Sequence, residues 1–211
     1  MNDVTVAMPW RPTPDRLPAH QRIHAFWCHA GIPVVEADSL PTQPFNVSEA
    51  RNNAVRQIRT PVIICADADT LPDLGAIIHA LELLRPGDVI WPYQTYRHIP
   101  ADWVTEPDLL AAPPDRVYHH SVGGVFLCHR ATYWELGGFD EHFVGWGADD
   151  NAFHAVARTL ATARRTPGTI FSFNHAADRD MNPATNPNLV RLELYRFATG
   201  KPPVMTQLIK R

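Results

Sequence analysis

The run Val62-Ile63-Ile64-Cys65-Ala66 constrains the fold most, because it is apolar at every position and stops abruptly at Asp67-Ala68-Asp69. Thr60-Pro61 closes whatever precedes it, and five residues are too few for an ordinary helix. A strand with no polar face has nothing to offer water. Such strands lie centrally in parallel sheets, covered by helices on both sides. The flanking sequence supplies those helices. Val4-Thr5-Val6-Ala7-Met8 reads as another buried strand, ending at Pro9. From Asp15, Ile23, Phe26, Trp27 and Ala30 recur at helical spacing until Gly31 stops the helix. Ile32-Pro33-Val34-Val35-Glu36 is a second strand, and 47–58 a helix capped by Asn46 or Ser48. Residues 72–84 form a helix closed by Pro86-Gly87, and Asp88-Val89-Ile90-Trp91 a fourth strand. This alternation predicts a doubly wound α/β sheet with right-handed crossovers.

The regularity then fails. Residues 92–116, rich in proline, aromatics and acids, read as a long loop or short irregular elements. Order returns with a strand at 125–128, a short helix at 131–136 ended by Gly137-Gly138, and a helix at 149–161. A strand at 169–173 and a last helix at 188–199 follow. No internal repeat and no second hydrophobic core is evident, so residues 1–211 are expected to form one domain.

Composition removes several function classes. The 45% apolar and 19% charged shares are those of a globular domain, and no apolar run approaches the ~18–20 residues of a membrane span. A net charge of −3 advertises no general nucleic-acid or anionic-lipid surface. Cys28, Cys65 and Cys128 are three cysteines at wide spacings in apolar surroundings, expected as buried hydrophobes and not as disulfides or a zinc cluster. With a start that lacks a basic flank and an apolar leader, this points to a reducing cytoplasm. The match Asn46-Val47-Ser48 to a glycosylation acceptor is then idle.

In open parallel sheets ligands sit beyond the carboxyl ends of the strands, which is where Asp67-Ala68-Asp69 lies. Alternate residues of an extended segment share one side, so the two carboxylates can converge on a hard cation such as magnesium or manganese. No glycine-rich phosphate loop is present to do that work instead. By itself the triplet is equally a turn followed by a helix cap. Downstream come Gly123-Gly124-Val125-Phe126-Leu127, then Gly137-Gly138-Phe139-Asp140-Glu141, then Gly145-Trp146-Gly147-Ala148-Asp149-Asp150.

Together these segments resemble the GT-A glycosyltransferases, especially family 2 and the inverting galactosyltransferases with a G-W-G-x-E-D segment. The stretch from Phe45 to Asn52 leading into the Asp67-Ala68-Asp69 strand also resembles family 2, where an A-R-N helix precedes D-x-D. The likeness runs from about Val4 to about His175. It implies a GT-A sheet, mostly parallel, with 1–91 as the nucleotide-sugar half, 117–185 as the acceptor and catalytic half, and 186–211 as a C-terminal helix and tail. It implies Asp69 as a direct metal ligand, with Asp67 on the ribose or a metal-bound water. Pro9 and Arg11 would line the base and diphosphate, Glu36 or Asp38 the base or ribose, and Arg51 the nucleotide pocket. Asp150 would be the general base. Asp149 stands where the family has Glu and would bind acceptor hydroxyls beside Trp146 and Gly124. A histidine often completes the metal set; His175 fits, with His119, His120 and His154 as competitors.

The implied reaction is metal-dependent transfer from a nucleotide diphosphate sugar, of UDP type, to a hydroxyl with inversion. The cation, Mn2+ or Mg2+, neutralises the departing diphosphate, and one carboxylate takes the proton of the attacking hydroxyl. A retaining GT-A enzyme, a nucleotidyltransferase and a silent sugar-nucleotide or glycan-binding domain are the alternatives. The acceptor stays open among a saccharide, a lipid-linked sugar, a protein hydroxyl and a hydroxylated nucleobase, and 92–116 is expected to shape its pocket. Oligomeric state cannot be read. Asp178-Arg179-Asp180 opens a polar stretch expected to act as a lid over donor and metal. Arg158, Arg164 and Arg165 read as a solvated helix end, and Arg56 and Arg59 as solvent-facing.

Overall fold

The structure, a computed structural model, describes residues 3–41, 44–145, 147–175, 180 and 182–210. In chain order the elements are β1 (Val4–Pro9), α1 (Leu17–His29), β2 (Val34–Ala37), α2 (Val47–Gln57), β3 (Val62–Ala66), β4 (Thr70–Pro72), α3 (Leu74–Leu83) and β5 (Asp88–Trp91). Then come β6 (Thr95–Ile99), a 3-10 turn (Ala101–Thr105), β7 (Arg116–His119), β8 (Val125–His129), α4 (Arg130–Glu135), α5 (Asp149–Leu160), β9 (Thr162–Arg165), β10 (Thr169–Phe173), α6 (Pro187–Ala198) and α7 (Pro202–Ile209).

The main sheet has the order β2-β1-β3-β8-β5-β9. β1 runs parallel to β2 and β3, while β8 is antiparallel to both β3 and β5. β5 and β9 are parallel, so five strands share one direction and β8 alone opposes them. The mostly parallel α/β sheet expected from the sequence is therefore present. Both faces of the central strands are buried. Ile63 and Cys65 of β3 join Phe126 and Cys128 of β8 in one apolar layer with α2, α5, α6 and α7. Ile64 and Ala66 join Val125 and Leu127 in a second layer, with Ile23 and Trp27 of α1 and Ile77 of α3. These two apolar layers lie on the two faces of the one sheet, as alternate residues of a strand point to opposite faces.

Local chemistry sets the helix ends. Asn46 caps α2, its side chain accepting from the Glu49 N–H at 3.1 Å, and Ser48 lies inside the helix instead. Asp73 caps α3 through Gly75 N–H at 2.7 Å, so α3 starts after Pro72, which ends β4. The expected helix start at 72 is corrected accordingly. The second strand likewise begins at Val34, two residues later than expected.

A second sheet, of order β4-β10-β6-β7, draws one strand and the start of another from the segment expected to be a loop or short irregular elements. Residues 92–116 supply β6 and the 3-10 turn and lead into β7, which pairs antiparallel with β6. Strand β9 was also missed: Arg164 and Arg165 belong to a strand paired with β5, not to a solvated helix end. Thr-Ala-Arg-Arg has no apolar alternation, and an edge strand tolerates that because only one side is paired. The C-terminal tail is the helix α7, docked through Met205 and Leu208. Cys65 and Cys128 are buried as expected, but Cys28 is exposed, one position around α1 from the core-facing Trp27.

Candidate active site

The Asp67-Ala68-Asp69 triplet is fixed by its backbone before its side chains are considered. The Asp67 N–H donates to the Gly124 carbonyl at 2.8 Å, and the Phe173 N–H donates to the Asp69 carbonyl at 3.0 Å. The triplet thus ties the end of β3 to the entry of β8 and the end of β10. Gly124 has φ +91°, and a Cβ there would sit 2.8 Å from Ile170 and 2.9 Å from Tyr96. Only glycine meets both demands. The structure gives Gly124 a backbone role in holding Asp67.

Arg51 is the hub. It lies on α2 with its side chain 4% exposed, 4.5 Å above the Phe139 ring. One nitrogen donates to Asp67 Oδ1 at 2.6 Å. The other donates to Asp149 Oδ2 at 2.7 Å and lies 3.3 Å from Asp150 Oδ1. The planar fork of arginine allows one residue to join acids from two distant segments. Three carboxylates around one buried guanidinium hold it well above its ordinary pKa despite the burial that opposes its charge. The sequence placed Arg51 at the nucleotide; the structure places it between D-x-D and the Asp149-Asp150 pair. The next residue, Asn52, accepts from Tyr133 Oη at 2.6 Å and Phe139 N–H at 3.0 Å, and so secures the Gly137-Gly138 turn.

Asp149 and Asp150 occupy the first turn of α5, where the helix dipole favours acids. Asp149 is buried at 7% side-chain exposure, whereas Asp150 is 27% exposed. Burial raises the Asp150 carboxyl well above the usual range; Arg51 opposes this, and the neighbouring Asp149 and Asp67 charges add to it. A Cβ on Gly123 would fall 2.7 Å from Asp150 Oδ2, so the absence of a side chain there makes room for this carboxylate.

Asp69 faces the other way. Its Oδ2 lies 3.0 Å from His175 Nε2 and 3.2 Å from an Arg16 nitrogen. Burial would raise this carboxyl, but the His175 hydrogen bond and the Arg16 and His175 charges outweigh it and hold it below the usual value. Asp69, His175, Arg16, Asp15, Phe173 and Asn174 contribute to the lining of a cavity of about 90 Å³ between α1, the 3-10 turn and the end of β10. Of the competing histidines, His154 packs on Trp91 and His119 lies on exposed β7. His175 is the one that reaches Asp69. Arg16 escaped the sequence reading, since nothing in Thr-Pro-Asp-Arg marks it.

The remaining expected donor residues gather at the ends of β1 and β2. Pro9 ends β1 opposite Ala37. The Arg11 Nε donates to both Asp38 oxygens at 2.9 Å, and an Arg11 nitrogen reaches the Ser39 hydroxyl at 3.1 Å. Arg11, expected as the charge partner of a diphosphate, is here held by an acid. Glu36 lies 2.6 Å from His20 Nε2, and the His20 ring stacks on Trp10 at 4.1 Å. Trp146, and Asp178 and Arg179 of the expected lid, lie outside the described residues. Arg56, expected in water, is half-exposed and donates to Glu141 at 2.8 Å.

The donor set bears on a metal. Among the described residues no group of three or more His, Cys, Asp or Glu is assembled to hold one. Two carboxylates and an imidazole nevertheless meet the cavity's edge, a donor set that fits manganese in kind. Arg16 supplies a positive charge beside Asp69.

Fold and site together invite comparison with known proteins. Residues 111–176 match a family model described as the N-terminal domain of galactosyltransferase. That span includes Gly123-Gly124, Asp149-Asp150 and His175. No curated protein matches the chain. The catalytic domain of Drosophila beta1,4galactosyltransferase 7, solved with xylobiose, is similar at TM-score 0.54 and 20% identity, over 92% of this chain and 79% of that one. A mutant of the same Drosophila enzyme, with manganese, UDP-Gal and xylobiose, gives 0.56 and 17%, over 88% and 78%. GalNAc-T7 with UDP, GalNAc and Mn2+ gives 0.58 and 12%, over 98% of this chain and 53% of that one. The fold is that of these GT-A glycosyltransferase structures, and residues 111–176 are similar to the galactosyltransferase model.

Proposed function

We propose that this chain moves a sugar from a UDP-sugar to an acceptor hydroxyl by a single displacement with inversion, with Asp150 as general base. The observation that carries this reading is the Arg51 hub. It joins Asp67 of the triplet to Asp149 and Asp150 on α5, so the acid pair stands at a fixed separation from the donor end of the sheet. Asp150 is the more exposed acid of the pair, and its raised pKa makes it a stronger proton acceptor than an ordinary carboxylate once ionised. Asp149, buried against Arg51, holds the guanidinium in place. Acceptor hydroxyls would then meet Asp150 beside Gly123.

On the donor side, Asp69 and His175 would hold a divalent cation, with Asp67 directed to the ribose or a metal-bound water. Such a cation neutralises the departing diphosphate. The manganese and UDP-Gal of the similar Drosophila structure, and the Mn2+ and UDP of the GalNAc-T7 structure, support this assignment. Arg16 stands ready as a second positive charge on the same cavity. Glu36, Asp38 and Arg11 lie at the carboxyl ends of β1 and β2, where the base and ribose would sit.

The test is Asp150→Asn, assayed with UDP-galactose and manganese for transfer and for hydrolysis. Turnover is expected to vanish while UDP binding persists within about two-fold. Near-normal turnover would overturn the assignment of the base. Product anomeric analysis then separates inversion from retention.

A further inference from the structure

Four consecutive carbonyls, those of His120, Ser121, Val122 and Gly123, each accept a hydrogen bond from a side chain. Arg165 donates to His120 O at 2.8 Å and to Ser121 O at 2.7 Å. Trp91 Nε1 donates to Val122 O at 2.8 Å. The Tyr93 hydroxyl, with one proton to give, is shared between Ser121 O at 2.9 Å and Gly123 O. The segment also turns sharply at both ends. His120 has φ +61° and Gly124 φ +91°, and a non-glycine residue in that region is strained. The segment thus lies between β7 and β8 without a ladder of its own, and side chains take the place of a neighbouring strand.

The donors share one origin. Arg165 is the last residue of β9 and pairs in register with Trp91, the last residue of β5. Its guanidinium lies 5.8 Å from the Trp91 ring and 5.6 Å from the Tyr93 ring. Among the described residues no carboxylate pairs with Arg165. Its charge is directed at neutral carbonyls, which makes those bonds stronger than ordinary ones. At the far end of the same segment lies Gly123, whose missing side chain leaves room for the Asp150 carboxylate, 2.7 Å from where a Cβ would be.

We propose that Arg165, with Trp91 and Tyr93, is a positioning residue that clamps residues 120–123 so that Gly123 forms a rigid wall against the Asp150 carboxylate. This rests on Asp150 being the base. A loosened wall would let the carboxylate leave its place and admit water to it. Asp150 is otherwise faced by Arg51 from α2, by Asp67 beyond β3, by Asp149, by the Cys65 thiol of β3 and by the Tyr93 hydroxyl of the clamp itself. Of these, Tyr93 alone, a member of the clamp, hydrogen-bonds residues 120–122 among the described residues. The clamp is therefore a separate determinant of where the carboxylate points.

The test compares Arg165→Gln and Arg165→Lys with the native protein, by NMR titration of the Asp150 carboxyl carbon in metal-free buffer and by amide exchange at 121–124. In Arg165→Gln, exchange there should rise about ten-fold or more, with β1 and β3 unchanged. The Asp150 midpoint should fall by about one pH unit as water reaches the carboxylate. Losing a positive charge alone would move that midpoint upward, so the direction separates the two causes. Arg165→Lys keeps the charge but not the fork, and should restore part of both changes; it carries the same readouts if Arg165→Gln does not fold. With UDP-galactose and manganese, UDP affinity should stay within about two-fold while kcat falls about ten-fold or more and its acid limb shifts to lower pH. Unchanged exchange, or faster exchange with an unmoved or raised midpoint, overturns the clamp. If the native protein transfers no sugar from any nucleotide sugar, the proposed function falls, and the Asp150 midpoint still decides the clamp.

Discussion

Replacing Arg51 by Met tests the electrostatic centre of the site. The side chain is of similar length and apolar, so the packing over Phe139 is largely kept while the charge is removed. What remains is Asp67, Asp149 and Asp150, with side-chain exposures of 23%, 7% and 27%, around a cation that is gone. Removing one partner of a buried ion pair costs about 3–5 kcal/mol, because the other charge is left uncompensated. At about 2–4 °C per kcal/mol for a chain of this size, Tm should fall by roughly 6–20 °C.

The loss should depend on pH, and its sign follows from linkage. In the variant Asp67 and Asp150, both already raised by burial, lose the Arg51 charge that opposed this rise, so their folded values climb further above those of the unfolded chain. Stability from a raised carboxyl is fully present below the unfolded value, near pH 4, and is lost as pH rises through the folded value. The Tm gap between native and variant protein should therefore be smallest near pH 4–5 and largest at pH 7–8. Calorimetry or dye-monitored melting in metal-free buffer at several pH values measures it. A gap under about 3 °C at pH 8, or one that does not grow between pH 5 and pH 8, would refute the reasoning. Arg51→Lys should recover little, since a single ammonium cannot reach Asp67 and Asp149 from opposite ends of a fork.

Other substitutions bear on single links of the site. Gly123→Ala places a methyl 2.7 Å from Asp150 Oδ2, an oxygen at the end of a side chain that can swing away. It should lower kcat by about 10–100-fold while Tm moves by only a few degrees, and unchanged turnover would show that the carboxylate does not need the space Gly123 leaves. Burial, helped by the Arg165 and Arg158 charges, depresses His154 to about 4. A histidine neutral in the fold but protonated when unfolded adds stability that is present above pH ~6.5 and disappears as pH falls toward about 4. His154→Phe should flatten the acid side of the stability curve by about 1–2 kcal/mol, a figure reduced because the ring is only half-buried; identical curves from pH 4 to 7 would contradict it. His175→Ala should reduce the Tm rise produced by manganese plus UDP, by about 3–6 °C if the site loses ten-fold in affinity, and an equal rise would remove His175 from the metal set.

The sequence by itself determined the parts whose physics is local or repeats along the chain. The unbroken apolar run of β3, with strands and helices alternating before it, specified a sheet buried on both faces, because strand alternation sends Ile63 and Ile64 to opposite layers whatever the partners are. Asn46 and Asp73 cap helices through atoms two or three residues away. The positions of Asp67, Asp69, Asp149, Asp150 and His175 were legible as motifs, and the structure brings Asp69 to His175 and Asp67 to the acid pair. Only the tertiary structure decided how these groups are joined. Arg51 is 98 residues from Asp149, and nothing local indicates that they meet. The β6–β7 ladder and β9 escaped notice because edge and hairpin strands are held by cross-strand pairing that short polar sequences do not advertise. Arg165 read as solvent-facing for the same reason. Its partners are backbone carbonyls 44 and 45 residues away, and a carbonyl leaves no signature in the sequence.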